Sequence, residues 1–108
     1  MQMTALVQKY IKFSHFINEI KFCHALNCQE WDILLIIVSA EIDNKILKVN
    51  DLLAMDHIAS PATIHKAIKF LISKKLVYFK NNAQDARVKF LHPTTKGMQL
   101  LQEVGKKM

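Results

Sequence analysis

Eight cations fall between residues 61 and 96: Lys66, Lys69, Lys74, Lys75, Lys80, Arg87, Lys89 and Lys96, against one acid, Asp85. That segment counts +7, whereas residues 1–60 count −2 and residues 97–108 count +1. A balance concentrated in one segment suits a polyanion, because each ammonium or guanidinium can displace a counterion from a phosphate. A lysine-rich solvated surface is the plain alternative. Other chemistry finds little support. No nucleophile–base pair or paired carboxylates stand out, and with only Gly97 and Gly105 there is no glycine-rich phosphate cradle. His15, His24, His57, His65 and His92 lack metal-ligand spacing, so no metal or other cofactor is expected and the chain does not read as an enzyme.

The elements that would position these cations are read from capping and periodicity. Ser60 is an N-cap and Pro61 takes the first helical position, where a missing N–H is harmless. The helix runs to about Lys74. With Ile64 at the centre of its inner face, Ala67, Ile68 and Leu71 fall beside it. Ala62, Lys66, Lys69 and Ser73 fall opposite, with Thr63 and His65 on the flanks. That outer face is small near its start and cationic in its middle. A helix entering a groove about 12 Å wide needs small residues near bases and cations near phosphates. Residues 76–80 and 87–91 read as β-branched and aromatic strands around a polar tip, residues 81–86. Thr94 caps a last helix carrying Met98, Leu101 and Val104. In order, this is the layout of a winged helix-turn-helix.

Upstream, Thr4 to about Leu26 reads as one long helix. Leu6, Tyr10, Phe13, Ile17 and Ile20 recur at spacings of four and three, the period of a helix–helix seam. Val7, Ile11, Phe16 and Cys23 widen the apolar stripe, so one face is expected to cover its own domain and another to meet a second copy. Asn27 and Glu30 have capping-box spacing. They open a helix from about Cys28 to Ile42 that buries Trp31, Leu34, Leu35 and Val38. Residues 46–48 read as a short edge strand. Asn50 or Asp51 starts a short helix through Met55, which turns Leu52, Leu53 and Met55 inward.

These residues resemble the MarR family of bacterial transcription regulators over about Cys28 to Leu101. The most specific piece is Asp85-Ala86-Arg87, a strand, then Thr94-Thr95-Lys96-Gly97, in the family's register. Ser60 to Leu71 followed by Lys74-Lys75-Leu76-Val77 is the second piece. The resemblance implies a mainly helical fold with a small β-hairpin wing and an added N-terminal helix. It implies a dimer on double-stranded DNA, most simply a repressor on an inverted-repeat operator. The Ser60 helix would lie in the major groove and the hairpin along the minor groove. By matching positions, Arg87 is the minor-groove residue and Asp85 holds it. Pro61, Ala62, Thr63, His65 and Lys66 lie at base edges or phosphates. Ser60, Lys69 and Lys89 complete the candidate DNA-binding set. The chain departs from the family pattern in three places. Lys75 stands where the family has glycine, and Phe70 where it has an exposed polar residue. Most of the C-terminal dimer helices are missing, so Leu6, Tyr10, Phe13, Ile17 and Ile20 are expected to carry the dimer.

A chain of 108 residues is one domain by length: residues 1–27 the added helix, 28–97 the winged unit and 98–108 the last helix. Its 51% apolar content and few glycines and prolines point to a mostly helical chain with apolar surface left over. No hydrophobic run approaches membrane-spanning length. Two cysteines without a signal sequence suggest the cytoplasm. Cys23 and Cys28 are read as small buried apolar residues, with a redox switch as the alternative. Tyr10, Phe13, Phe16 and Phe22 read as core or dimer contacts. A second functional class stays open: a winged-helix module binding a protein partner through the apolar N-terminal helix.

Overall fold

The computed structural model describes residues 2–107. It contains five helices and one antiparallel hairpin: α1 (Gln2–Cys23), α2 (Cys28–Ile42), α3 (Val49–Leu53), α4 (Pro61–Ser73), β1 (Val77–Asn81), β2 (Lys89–Pro93) and α5 (Thr95–Lys106). The central element is α2, whose Ile33, Leu34 and Ile37 are fully buried. It packs against α4, β2 and α5. Its start is the expected capping box: the Asn27 side chain accepts from Glu30 N–H, and the Glu30 carboxylate accepts from Asn27 N–H, both at 2.8 Å.

Three helices close on a residue other than glycine in the left-handed region, Ala25 (φ 57°), Asn44 (φ 55°) and Lys75 (φ 61°). Each closure makes the same pair of hydrogen bonds. At the end of α4, Leu76 N–H donates to Leu71 O and Lys75 N–H to Ile72 O, at 3.0 and 2.9 Å. Leu71 and Leu76 are both buried, so an apolar contact backs the turn. The glycine missing at position 75 is thus replaced by a lysine held in the same backbone conformation.

The joint after Lys75 is clamped by the Thr94–Gly97 segment. Thr94 Oγ1 donates to Lys75 O at 2.6 Å and accepts from Gly97 N–H at 3.1 Å. Thr94 N–H donates to Leu76 O at 3.0 Å. Lys96 Nζ donates to Lys74 O at 3.2 Å, placing a cation at the C-terminal end of α4. Gly97 is buried against Leu76, and a methyl group added there would strike the Leu76 carbonyl oxygen. Thr-x-x-Gly therefore locks the start of α5 to the turn between α4 and β1.

Several boundaries differ from expectation. β2 starts at Lys89, two residues late, because the Asp85 carboxylate captures the Arg87 N–H that a ladder would use. Residues 46–48 contribute only a bridge from Lys48 to Phe90, plus Leu91 N–H donating to Leu47 O. In α2 the inner positions are Ile33, Leu34 and Ile37, and Leu35 is exposed. In α5 Leu100 is buried, whereas Met98 is 37% exposed. Cys23 and Cys28 are both exposed free thiols, contrary to the buried reading, because each lies on the outer side of the α1–α2 turn.

The long stripe of α1 divides along its length. Ile20 is buried in the chain's own core, and Phe16 and Ile17 pack against that core. Those two isoleucines are therefore already occupied within one copy. Leu6 and Tyr10 are exposed and Phe13 is half-buried. The N-terminal half of α1 stands away from the body, which gives the molecule extents of 59 × 26 × 23 Å.

Two substitutions test these joints. Gly97→Ala should destabilise by about 1–3 kcal/mol, because the obstructing atom is backbone and cannot turn aside. Lys75→Gly should stabilise by about 0.5–1 kcal/mol by relieving the left-handed strain. Urea unfolding measures both, and unchanged midpoints would contradict the clamp and the turn respectively.

Candidate nucleic-acid interface

Helix α4 is built as its sequence requires. Ser60 Oγ accepts from Thr63 N–H at 3.3 Å and donates to Thr63 Oγ1 at 3.0 Å, leaving the Thr63 hydroxyl hydrogen free for another acceptor. Ile64, Ala67, Ile68 and Leu71 are buried against the body. Ser60, Pro61, Ala62, Thr63, His65, Lys66 and Lys69 are all exposed. The expected division into an apolar inner face and a small, cationic outer face is the one observed. Phe70 is half-buried against the core, with Lys74 Nζ 5.6 Å from its ring centroid. It packs where the family has a free polar side chain.

The hairpin tip presents the other cations. Asp85 Oδ1 accepts from the backbone N–H of Arg87 at 3.0 Å and from its Nε at 3.2 Å, and Oδ2 accepts from Nη2 at 3.4 Å. The Arg87 side chain is nonetheless 92% exposed. The carboxylate thus aims the guanidinium without covering it. This contact with the Arg87 side chain, followed by the one to its backbone N–H, holds the Asp85 carboxyl below its ordinary range. An exposed pair of this kind orients more than it stabilises.

Other contacts were not foreseen. Lys89 Nζ lies 4.5 Å from the centroid of Phe79, so a strand aromatic props up a candidate phosphate contact. With Phe79 opposite Leu91, Lys89 is its diagonal neighbour, a relation visible only once the register is known. At the hairpin base His92 Nδ1 lies 2.9 Å from Glu41 Oε2, and the His92 ring stacks on Tyr78. These residues tie the wing to the end of α2. No signal in the sequence pairs Glu41 with a residue fifty-one positions away. Among the described residues no His, Cys, Asp and Glu side chains gather as metal ligands would.

Because the Asp85 carboxyl is depressed by Arg87, the fork is complete at neutral pH and loosens only as pH falls through that lowered value. Carboxyl NMR titration should place Asp85 below ordinary aspartate, and Arg87→Ala should return it upward. An Asp85 that titrates normally in the unsubstituted chain would contradict the fork.

Similarity to known proteins agrees with this geometry. The S. aureus MepR–DNA complex superposes with a TM-score of 0.75 at 19% identity, covering 99% of this chain and 82% of that one. The transcriptional regulator Tm0710 of Thermotoga maritima gives 0.69 at 16%, covering 99% and 73%. The adhesin competence repressor AdcR of Streptococcus pyogenes gives 0.59 at 23%, covering 94% and 71%. At these identities the likeness establishes the winged-helix fold. None of the curated proteins matches the chain significantly. The family described as "Transcriptional regulator SarA/Rot" matches residues 15–104, and the chain therefore belongs to the SarA/Rot family of transcriptional regulators.

Proposed function

We propose that this regulator binds double-stranded DNA as a homodimer and represses transcription from the sites it occupies. In this reading the outer face of α4 enters the major groove. Ala62 and Thr63 approach the bases, while Lys66 and Lys69 meet phosphates. The hairpin tip lies along the minor groove, where focused negative potential favours Arg87. Lys89 contacts the backbone beside it. The observation that carries the reading is that every candidate on α4 is exposed while the opposite face forms the core. A DNA complex of the similar MepR supports it.

The three parts of the chain take distinct tasks in this reading. Residues 1–27 pair two copies, residues 28–97 read DNA, and residues 98–108 are the last helix, which adds Leu100 to the core. No catalytic step is assigned to any residue. No helix is long and apolar enough to cross a membrane among the described residues. The free thiols suit a cytoplasmic location.

The exposed Met3, Leu6 and Tyr10 favour a second reading, in which α1 docks a different protein. Heparin retention and a duplex-DNA shift that weakens with salt support the first reading. A monomeric chain indifferent to DNA supports the second.

On the DNA-binding reading, Arg87→Ala should weaken duplex affinity by about 1–3 kcal/mol. Lys66→Ala and Lys69→Ala should each flatten the plot of log affinity against log salt by about 2, since a dimer loses two lysines per substitution. Fluorescence anisotropy over a salt series measures all three. Wild-type behaviour in every variant would refute the contact set.

A further inference from the structure

The base of the hairpin holds a cluster that the proposed DNA contacts do not use. His92 Nδ1 lies 2.9 Å from Glu41 Oε2, with the two side chains 29% and 46% exposed. The Tyr78 ring stacks on His92 at 5.4 Å between centroids, with 29° between the planes. A carboxylate only accepts, so Nδ1 carries the hydrogen in this contact. The three residues come from three elements: Glu41 from the last turn of α2, Tyr78 from β1 and its register partner His92 from β2.

This cluster and the Thr94–Gly97 clamp hold different parts of the hairpin. The clamp fixes the turn between α4 and β1. Glu41 instead reaches β2, which begins two residues after Arg87. An imidazole is the side chain whose charge ordinarily changes between about pH 5 and 8. While the ring is neutral, the contact is a single hydrogen bond. Once it is charged, the same two atoms form an ion pair, with no movement required. Other ionisable groups stand near. The end of α2 adds Asp43, and Lys80 and Lys48 both pair with Phe90, two positions from His92. From α3, Asp51 is engaged with Lys48 N–H, and from α5, Lys96 is engaged with Lys74 O. Glu41 is the one acid in ion-pair contact with the ring among the described residues.

We propose that Glu41 and His92 are positioning residues for Arg87, and that their contact strengthens the hairpin's hold on DNA as pH falls from about 8 to about 6. The proposal rests on the DNA-binding reading above and adds what sets the hairpin in place. Its sign follows from charge: the ion pair holds the hairpin base on α2 more firmly than the neutral hydrogen bond does. A base held firmly restricts the tip, so less ordering is left for DNA to impose. The Asp85–Arg87 fork is complete throughout this window, because Arg87 holds the Asp85 carboxyl below its ordinary range. The pH dependence therefore enters at the base of the hairpin and not at its tip. Both partners are partly in water, which limits the effect to a few-fold.

Duplex titrations of the full chain at about pH 8 and about pH 6, at one ionic strength, test this through the factor by which Arg87→Ala raises Kd. Charge gained at the exposed His65 of α4 and His57 before it acts on every variant alike and cancels in that factor. The factor should be roughly threefold larger at the lower pH. With Glu41→Gln or His92→Gln as the background it should be the same at both, whereas with His65→Gln the difference should persist. A second readout needs no DNA. In ¹⁵N relaxation of the free chain, residues 81–88 should be less mobile at the lower pH, and Glu41→Gln should remove the difference. Tip motion equal at both pH values, or an Arg87 factor whose pH dependence survives both Glu41→Gln and His92→Gln, overturns the positioning role. A tip that stiffens as expected in a chain whose duplex affinity ignores Arg87→Ala overturns instead the minor-groove reading on which the coupling rests.

Discussion

The joint between α4 and the hairpin is the constraint on which the rest of this molecule depends. Thr94 accepts from one backbone N–H and donates to the carbonyl of the strained residue Lys75. Gly97 lets the first turn of α5 reach the Leu76 backbone, and Lys96 meets the carbonyl end of α4. Three residues within four consecutive positions thereby tie three elements to a single point. The distance and angle between α4 and the hairpin are set there. On the DNA-binding reading proposed above, an angle fixed before binding spares the two groups of cations the affinity that ordering it during binding would consume.

Electrostatics and packing have been kept apart in this chain. The core under α4 is aliphatic, built from residues such as Ile33, Leu34, Ile64 and Leu71. Its cations sit on the opposite surface or at the hairpin tip, where little is desolvated. The fork between Asp85 and Arg87 is the one place where an acid enters the basic segment. It orients a guanidinium that stays almost wholly in water. A buried pair would hold the arginine more tightly but withdraw it from a ligand. The N-terminal half of α1 inverts the pattern, with an apolar floor exposed and lysines around it.

Local signals made much of this fold legible. The Asn27–Glu30 box, Ser60 followed by Pro61, and Thr94 each fixed a helix start, because capping is decided within four residues. The inner face of α4 followed from helical period alone. What escaped depends on tertiary geometry. The start of β2 moved because a side chain competed for a backbone N–H at Arg87. Leu35 proved exposed because the neighbours of α2 contact only part of its circumference. Lys75, standing where the family has glycine, keeps a positive φ because the strain is offset by the local Leu71–Leu76 turn and by Thr94, nineteen positions along the chain, a contact that the sequence does not display. The contact between Glu41 and His92 was equally invisible. Exposure of Cys23 and Cys28 ran against the usual burial of free thiols.

The central claim is that the outer face of α4 and the hairpin tip form one surface for a duplex. Backbone amide shifts, followed as a short DNA duplex is added to the isotope-labelled chain, test it most directly. Shifts should move together at residues 60–69 and 85–89 while the buried strip of α2 stays still. Movement at only one of those two segments, or chiefly along the N-terminal half of α1, would contradict a shared DNA-facing surface.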